Sequence, residues 1–205
     1  MILIGRDLSP FTRRVAVSLS LLGIACERRQ LSTATDGDQV RLYNPLGRVP
    51  ALALDDGEVL IDSAAILDEL DQSVGAERAL IPLSGPDRRR VMKLVAIALG
   101  TMEKAVAAFY ERTRRPPETR FAPWLQMLED QVRAGLEALE LTAQSQESWL
   151  ALGRMTQADI SAVCAFDFVA VTSPHLIADL ALPGFRGLDR RLNELPAFSQ
   201  TYPRV

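Results

Sequence analysis

The chain has one histidine and two cysteines in 205 residues. A single histidine excludes a metal site built on several imidazoles. A Ser-His-Asp triad would have to use His175, which stands in the run TSPHL and reads instead as a surface or helix-start residue. Cys26 and Cys164 are far apart and no CxxC occurs, so neither a dithiol redox site nor a disulfide framework is expected. Both read as small buried hydrophobes in a protein of the reducing cytoplasm. No apolar run approaches the ~20 residues that cross a bilayer. The opening MILIGRDL has no basic segment ahead of a long apolar one, so no secretory signal is expected. Neither GxxxxGKS/T nor GxGxxG is present, which leaves nucleotide binding without its usual phosphate cradle. Lys and Arg number 23 against 26 Asp and Glu, and a net charge of −3 gives no basic footprint for nucleic acid.

What is present is a change of pattern part-way along the chain. Hydrophobic residues make up 48% of it, enough for a substantial core in one large domain or two small ones. Residues 1–75 alternate strand and helix signals. ILIG (2–5) is a short strand, and residues 10–22 form a helix with Phe11, Val15, Leu19 and Leu22 on its apolar side. ACERRQL (25–31) is a second strand. Strand, helix and strand in that order imply a parallel pair with a right-handed crossover. Residues 36–50 read as a short helix or irregular stretch. ALALDDGEVLI (51–61) is a hairpin turning at Asp55-Asp56-Gly57. DSAAILDELDQSVG (62–75) is a capped helix. Residues 76–86, with two prolines and a glycine, read as a linker. From 87 to 205 the periodicity is purely helical. One long helix runs from Asp87 to about Arg114 and is stopped by Pro116-Pro117. A second carries Phe121, Leu125, Leu128, Val132, Leu136 and Leu139, and residues 157–170 are apolar enough for a central buried helix. Two shorter helices are expected near 174–181 and 187–194.

Several short motifs have both a structural and a chemical reading. Ser9 before Pro10 is a good helix cap followed by the residue favoured at the first helical position. It is also a place where an anion would be held. Pro50 either begins a strand in the ordinary trans form or is a cis proline that exposes the backbone of Val49. Asp62-Ser63 caps a helix, and the same helix start can receive a carboxylate. Arg48 is a solvated loop arginine or a partner for an anion. Thr156 and Asp159 have capping-box spacing, with Asp in place of Glu or Gln, and Asp159 is expected to stabilise the fold.

Five pieces in order along the chain resemble the glutathione S-transferase family: SPFTRRV (9–15), NPLGRVPAL (44–52), IDSAAI (61–66), TQADISAV (156–163) and RLNELPAF (191–198). The resemblance implies an α/β thioredoxin-like N-terminal domain over 1–75, followed by an all-α domain over 87–205. It implies glutathione as co-substrate, with no metal. Ser9 would take the catalytic place, as in serine-type bacterial members, donating a hydrogen bond to the glutathione thiolate. The family's tyrosine is absent from this turn, and Ser9 stands where the reductase-like branches carry cysteine. Glutathione would contact Phe11, Arg48, Val49, Pro50, Asp62 and Ser63. Its cysteinyl backbone would pair with Val49, its γ-glutamyl carboxylate with Ser63, its ammonium group with Asp62 and its glycyl carboxylate with Arg48. Many members carry Glu where this chain has Asp62. A hydrophobic electrophile would lie between the domains against the long helix, near Met102, Val106 and Tyr110. The resemblance further implies a cytoplasmic, detoxifying enzyme. It would form a homodimer through the first domain of one chain and the long helices of the other, without nucleic-acid or membrane partners. A glutathione-dependent isomerase, dehalogenase or peroxidase, or a binding protein without turnover, would share these motifs.

Overall fold

The computed structural model describes residues 1–145 and 148–204. Two compact units are found, Met1–Leu83 together with Asn193–Arg204, and Ser84–Leu192.

The first unit is built on a four-stranded sheet in the order β2-β1-β3-β4. Strand β1 (Ile2–Ile4) pairs in parallel with β2 (Glu27–Arg29), through the crossover helix α1 (Pro10–Leu21). It pairs antiparallel with β3 (Ala51–Ala53), which forms the expected hairpin with β4 (Val59–Ile61). The helix α2 (Gly37–Arg41) is a little over one turn, and α3 (Ser63–Val74) follows β4. Leu3, Ile4, Val15, Leu52 and Ile66 are fully buried, so both β1 and α1 face a packed interior. Asp71 near the end of α3 is buried too, and its carboxylate accepts the N–H groups of Leu80 (2.7 Å) and Ile81 (3.0 Å), fixing the exit of the chain.

The end of the chain departs from the expected division. The segment after residue 192 groups with the first unit instead of the helical one. Its short helix α8 (Pro196–Ser199) packs on α1. The cause is Arg13, which is completely buried on α1. Its guanidinium donates to Asn193 Oδ1 (3.2 Å) and to the carbonyl of Phe198 (3.3 Å). It also lies 5.9 Å from the Phe198 ring and 5.5 Å from the Tyr202 ring.

The second unit is helical. Helix α4 (Gly85–Thr113) packs along α5 (Ala122–Gln144) and against α6 (Gln157–Thr172). Helices α4 and α5 are in close contact at Gly135, where an added Cβ would lie 2.1 Å from Thr101 Oγ1. Every residue of α6 from Gln157 to Val169 is buried, the polar Gln157, Asp159, Ser161 and Asp167 included, as in a central helix. The helix expected at 174–181 is only a 3-10 turn, Pro174–Leu176. Arg133 of α5 anchors this turn and the segment after it, binding the Leu176 carbonyl and the Asp179 carboxylate. Helix α7 (Pro183–Asn193) starts four residues before the expected position. Its first N–H groups are capped from another helix: Glu140 on α5 accepts Gly184 N–H (3.0 Å) and Phe185 N–H (2.7 Å). Cys164 is fully buried on α6, whereas Cys26, expected to be buried, is half-exposed just before β2. Among the described residues no helix is long and apolar enough to cross a membrane.

Asp159 has the structural place that its spacing suggested. The capping box is complete: Asp159 accepts Thr156 N–H (2.8 Å) and the Thr156 hydroxyl (2.9 Å). It also takes the Leu150 N–H (2.8 Å), tying the preceding loop to the helix start. Burial pushes its carboxyl up, and the donors around it pull the other way. Asp159→Ala leaves two buried N–H groups without acceptors, which costs about 3 kcal/mol. Thermal unfolding of that variant is expected to show a midpoint lowered by roughly 6–12 °C; an unchanged midpoint would contradict the structural role.

Candidate functional site

Two candidate residues of the first unit, Ser9 and Phe11, lie at the start of α1. Ser9 is its N-cap, in extended conformation (φ −70°, ψ 117°), and Pro10 is the first helical residue. Ser9 Oγ accepts the Thr12 N–H at 3.3 Å. A hydroxyl that accepts in this way retains its own O–H for an acceptor outside the helix. The side chain is half-exposed, so an external group can reach it. The helix start adds positive potential at the same point.

Three chain segments converge behind this cap. Gly5, at the end of β1, has φ +130°, and an added Cβ would stand 2.5 Å from Thr12 Oγ1 and 2.9 Å from Val49 Cβ. Only glycine allows β1, α1 and the Val49 segment to approach this closely. The Val49-Pro50 bond is cis. Pro50 is buried, Val49 half-buried, and Arg48 exposed. The loop leading to them is organised by Asn44, which is 2% exposed. Its amide donates to the Arg48 carbonyl (2.9 Å) and accepts Leu46 N–H (3.0 Å), and its carbonyl accepts Gly47 N–H (2.8 Å). Neither Gly5 nor Asn44 stood out in the sequence. The signal for Asn44 was its place before Pro45 and Gly47 in a turn-rich run.

The third piece is the start of α3. Asp62 caps it, accepting Ala64 N–H at 2.8 Å, with φ +70°. It is the one non-glycine residue with positive φ among the described residues. Such a backbone costs of order 1–3 kcal/mol and persists where surrounding structure enforces it. Asp62 is exposed, whereas Ser63 beside it is buried. Ser63 Oγ lies 3.5 Å from Nη1 of Arg14, a residue of α1 that is 1% exposed. The side chains of α1 and α3 thus meet at Ser63. Phe11, one residue past Pro10, is half-buried.

The residues expected to meet an electrophile all lie on α4, in the second unit. Met102 is fully buried; Val106 and Tyr110 are partly exposed. The Arg114 guanidinium stacks 3.6 Å above the Tyr110 ring. His175 is largely exposed in its 3-10 turn and sits 3.3 Å from Glu129 Oε1. Among the described residues there is no group of three or more His, Cys, Asp or Glu that could hold a metal ion.

Comparison with known proteins gives the family of the chain. The family model described as the glutathione S-transferase N-terminal domain matches residues 3–78. A glutathione transferase family member from Pseudomonas fluorescens Pf-5, solved with bound glutathione, is 33% identical with a TM-score of 0.85, over 100% of this chain and 99% of that one. The maleylacetoacetate isomerase of Pseudomonas aeruginosa is 29% identical over 205 residues, covering 93% of this chain and 90% of that protein. The uncharacterized GST-like protein YibF of Escherichia coli K12 is 27% identical over 191 residues, covering 86% and 90%. The chain belongs to the glutathione S-transferase family.

Proposed function

We propose that this protein is a serine-type glutathione transferase that activates the thiol of glutathione for attack on a hydrophobic electrophile. The observation that carries the reading is the half-exposed Ser9 cap, whose oxygen accepts the Thr12 N–H and whose own O–H remains available as a donor. A thiol with a pKa near ~8.5 is mostly protonated at neutral pH, and the thiolate is the nucleophile. A hydrogen bond donated by Ser9, together with the positive end of α1, stabilises that anion without removing a proton itself. In this reading the cysteinyl backbone of glutathione pairs with Val49 as an added strand. The γ-glutamyl carboxylate takes the α3 start at Ser63, and its ammonium group faces Asp62. Arg48 meets the glycyl carboxylate, and Phe11 packs beside the tripeptide. The electrophile lies against α4 at Met102, Val106 and Tyr110. In conjugation a carbon–sulfur bond forms and the leaving group departs with its electron pair.

A second reading has support in the isomerase relative from Pseudomonas aeruginosa. The same thiolate can add to a carbon–carbon double bond conjugated to a carbonyl, allow rotation, and leave again, so that glutathione is not consumed. Product analysis separates the two: conjugation depletes glutathione in step with turnover, and isomerisation leaves its concentration constant.

We further propose a cytoplasmic homodimer. Light scattering is expected to give twice the 22.5 kDa mass of the chain; a monomer mass would overturn this.

Calorimetry with glutathione tests the site. The natural protein is expected to bind it. Asp62→Ala removes both the partner for the ammonium group and the cap, and affinity should fall about tenfold or more. Ser9→Ala should bind within about threefold of the natural protein while losing the ultraviolet absorbance of a bound thiolate at neutral pH. Loss of one hydrogen bond to an anion raises the thiol pKa by about 1–2 units, so turnover by Ser9→Ala should recover only at higher pH. If the natural protein binds no glutathione, or if Ser9→Ala keeps the thiolate absorbance and pH profile, the proposed chemistry is wrong.

A further inference from the structure

We infer that a cavity beside the C-terminal half of α1 is a second ligand site, which takes a small apolar carboxylate with a single ring. The inference goes beyond the glutathione reading and does not rest on it. The cavity has a volume of about 260 Å³. Its walls come from the second half of α1, the approach to β2 and the chain-end helix α8, all within the first unit. None of its lining residues is among the proposed contacts of glutathione. Ser20 on its rim stands about three turns past Ser9, roughly 16 Å along the helix axis.

The walls set the chemistry of the occupant. Ala16, Leu19 and Ala197 are almost fully buried, and Ile24 is half-buried. The two alanines, one on α1 and one on α8, leave space that larger side chains would fill. Thr201 uses its hydroxyl on the Ala197 carbonyl of its own segment (2.8 Å). Cys26 donates to the carbonyl of Glu27 (3.3 Å), and burial pushes its thiol up, so it stays neutral and repels no anion. Among the described lining residues Arg28 is the single charge, and there is no carboxylate. Asp7, outside the lining, takes one nitrogen of that guanidinium, Nη2. Arg28 Nε is shielded from water and has no acceptor. Buried donors are nearly always satisfied, so an unmet one on a residue of the wall points to an acceptor brought by a ligand. A carboxylate is the strongest common acceptor for the planar guanidinium fork. The rest of the occupant is apolar, to match the alanines, Leu19 and Ile24, and the exposed rim at Ser20 and Gln200 is uncharged. Size limits it: an apolar cavity of ~150 Å³ holds benzene, so about 260 Å³ takes one ring with a short acid arm.

Phenylacetate is the probe, 2-phenylacetamide its neutral isostere, and S-hexylglutathione the competitor for the proposed glutathione and electrophile sites. Equilibrium dialysis of the natural protein is expected to give a dissociation constant of roughly 0.1–1 mM for the acid, as a ligand of about ten heavy atoms allows. The amide should bind at least about fivefold more weakly. Arg28→Gln should remove that preference and bring the two ligands within about twofold of each other. Ser20→Leu, which narrows the exposed rim, should weaken both by about fivefold or more. Saturating S-hexylglutathione should leave the constant for the acid unchanged within about twofold, as independent sites require. Cys26 reports the position separately. It is the half-exposed thiol, whereas Cys164 is buried, so N-ethylmaleimide should label Cys26 in the folded protein. Phenylacetate near saturation should slow that labelling about threefold or more, and the amide at the same concentration should not. This readout stands in if Arg28→Gln does not fold. The inference is overturned by no binding of phenylacetate up to about 10 mM, by equal binding of acid and amide, or by a preference that survives in Arg28→Gln. Displacement by S-hexylglutathione, or labelling that the acid does not slow, overturns it as well. A protein that binds phenylacetate in the expected way but takes no S-hexylglutathione removes the glutathione reading and leaves this site standing.

Discussion

The first unit depends on the burial of two consecutive arginines in one helix. Charged side chains leave water only where partners hold them, so Arg13 and Arg14 require protein on two different sides of α1. Arg13 draws in the chain end through Asn193, Phe198 and Tyr202. Arg14 reaches Ser63 at the start of α3. The helix has little freedom to shift, and neither does Ser9 at its N-terminus. The placement of a cap hydroxyl therefore rests on side chains one turn further along, which themselves need not touch a ligand.

Helix starts recur as the places where the fold and the proposed chemistry coincide. A helix leaves N–H groups unsatisfied at its beginning, and whatever caps them lies beside positive potential. Asp62 and Ser9 are N-caps and Asp159 completes the capping box of α6, yet their surroundings differ. Asp159 is wholly buried, and its oxygens are used by Leu150 and Thr156. It has no face left for a ligand. Ser9 is half-exposed, and Asp62 is exposed on a backbone that a non-glycine residue rarely adopts. Exposure, rather than residue type, separates the caps proposed to act from the cap that only stabilises.

Much of this was legible in the sequence because it is local. The strand–helix–strand start, the Asp-Gly hairpin and the long amphipathic helices follow from periodicity and turn chemistry read over ten or twenty residues. What was not legible depends on partners far along the chain. Helix α7 begins early because Glu140, more than forty residues upstream, caps it. The chain end joins the first unit because of a guanidinium on α1. Gly5 looks like an ordinary strand end until Thr12 and Val49 are seen to occupy the space of its missing side chain. Nothing in SPFTRRV marks its two arginines as buried; only the packed structure shows both guanidiniums inside and meeting different elements.

Serine rather than cysteine at the start of α1 limits what the proposed site can do. A cysteine there would exchange with glutathione disulfides through a mixed disulfide. A hydroxyl has no such route and can only donate to the sulfur anion. Cys26 supplies no substitute: it lies just before β2, its thiol is pushed up by burial, and it donates to the carbonyl of Glu27. Cys164 is sealed inside α6. In the proposed reading nucleophilicity then comes from the bound tripeptide alone, and everything the protein contributes to the thiolate is positional: a fixed cap, a helix end, and a ligand backbone held at Val49 and Ser63. A site of the proposed kind would be tolerant of the electrophile's identity, because the protein would act on the sulfur and not on the carbon that it attacks.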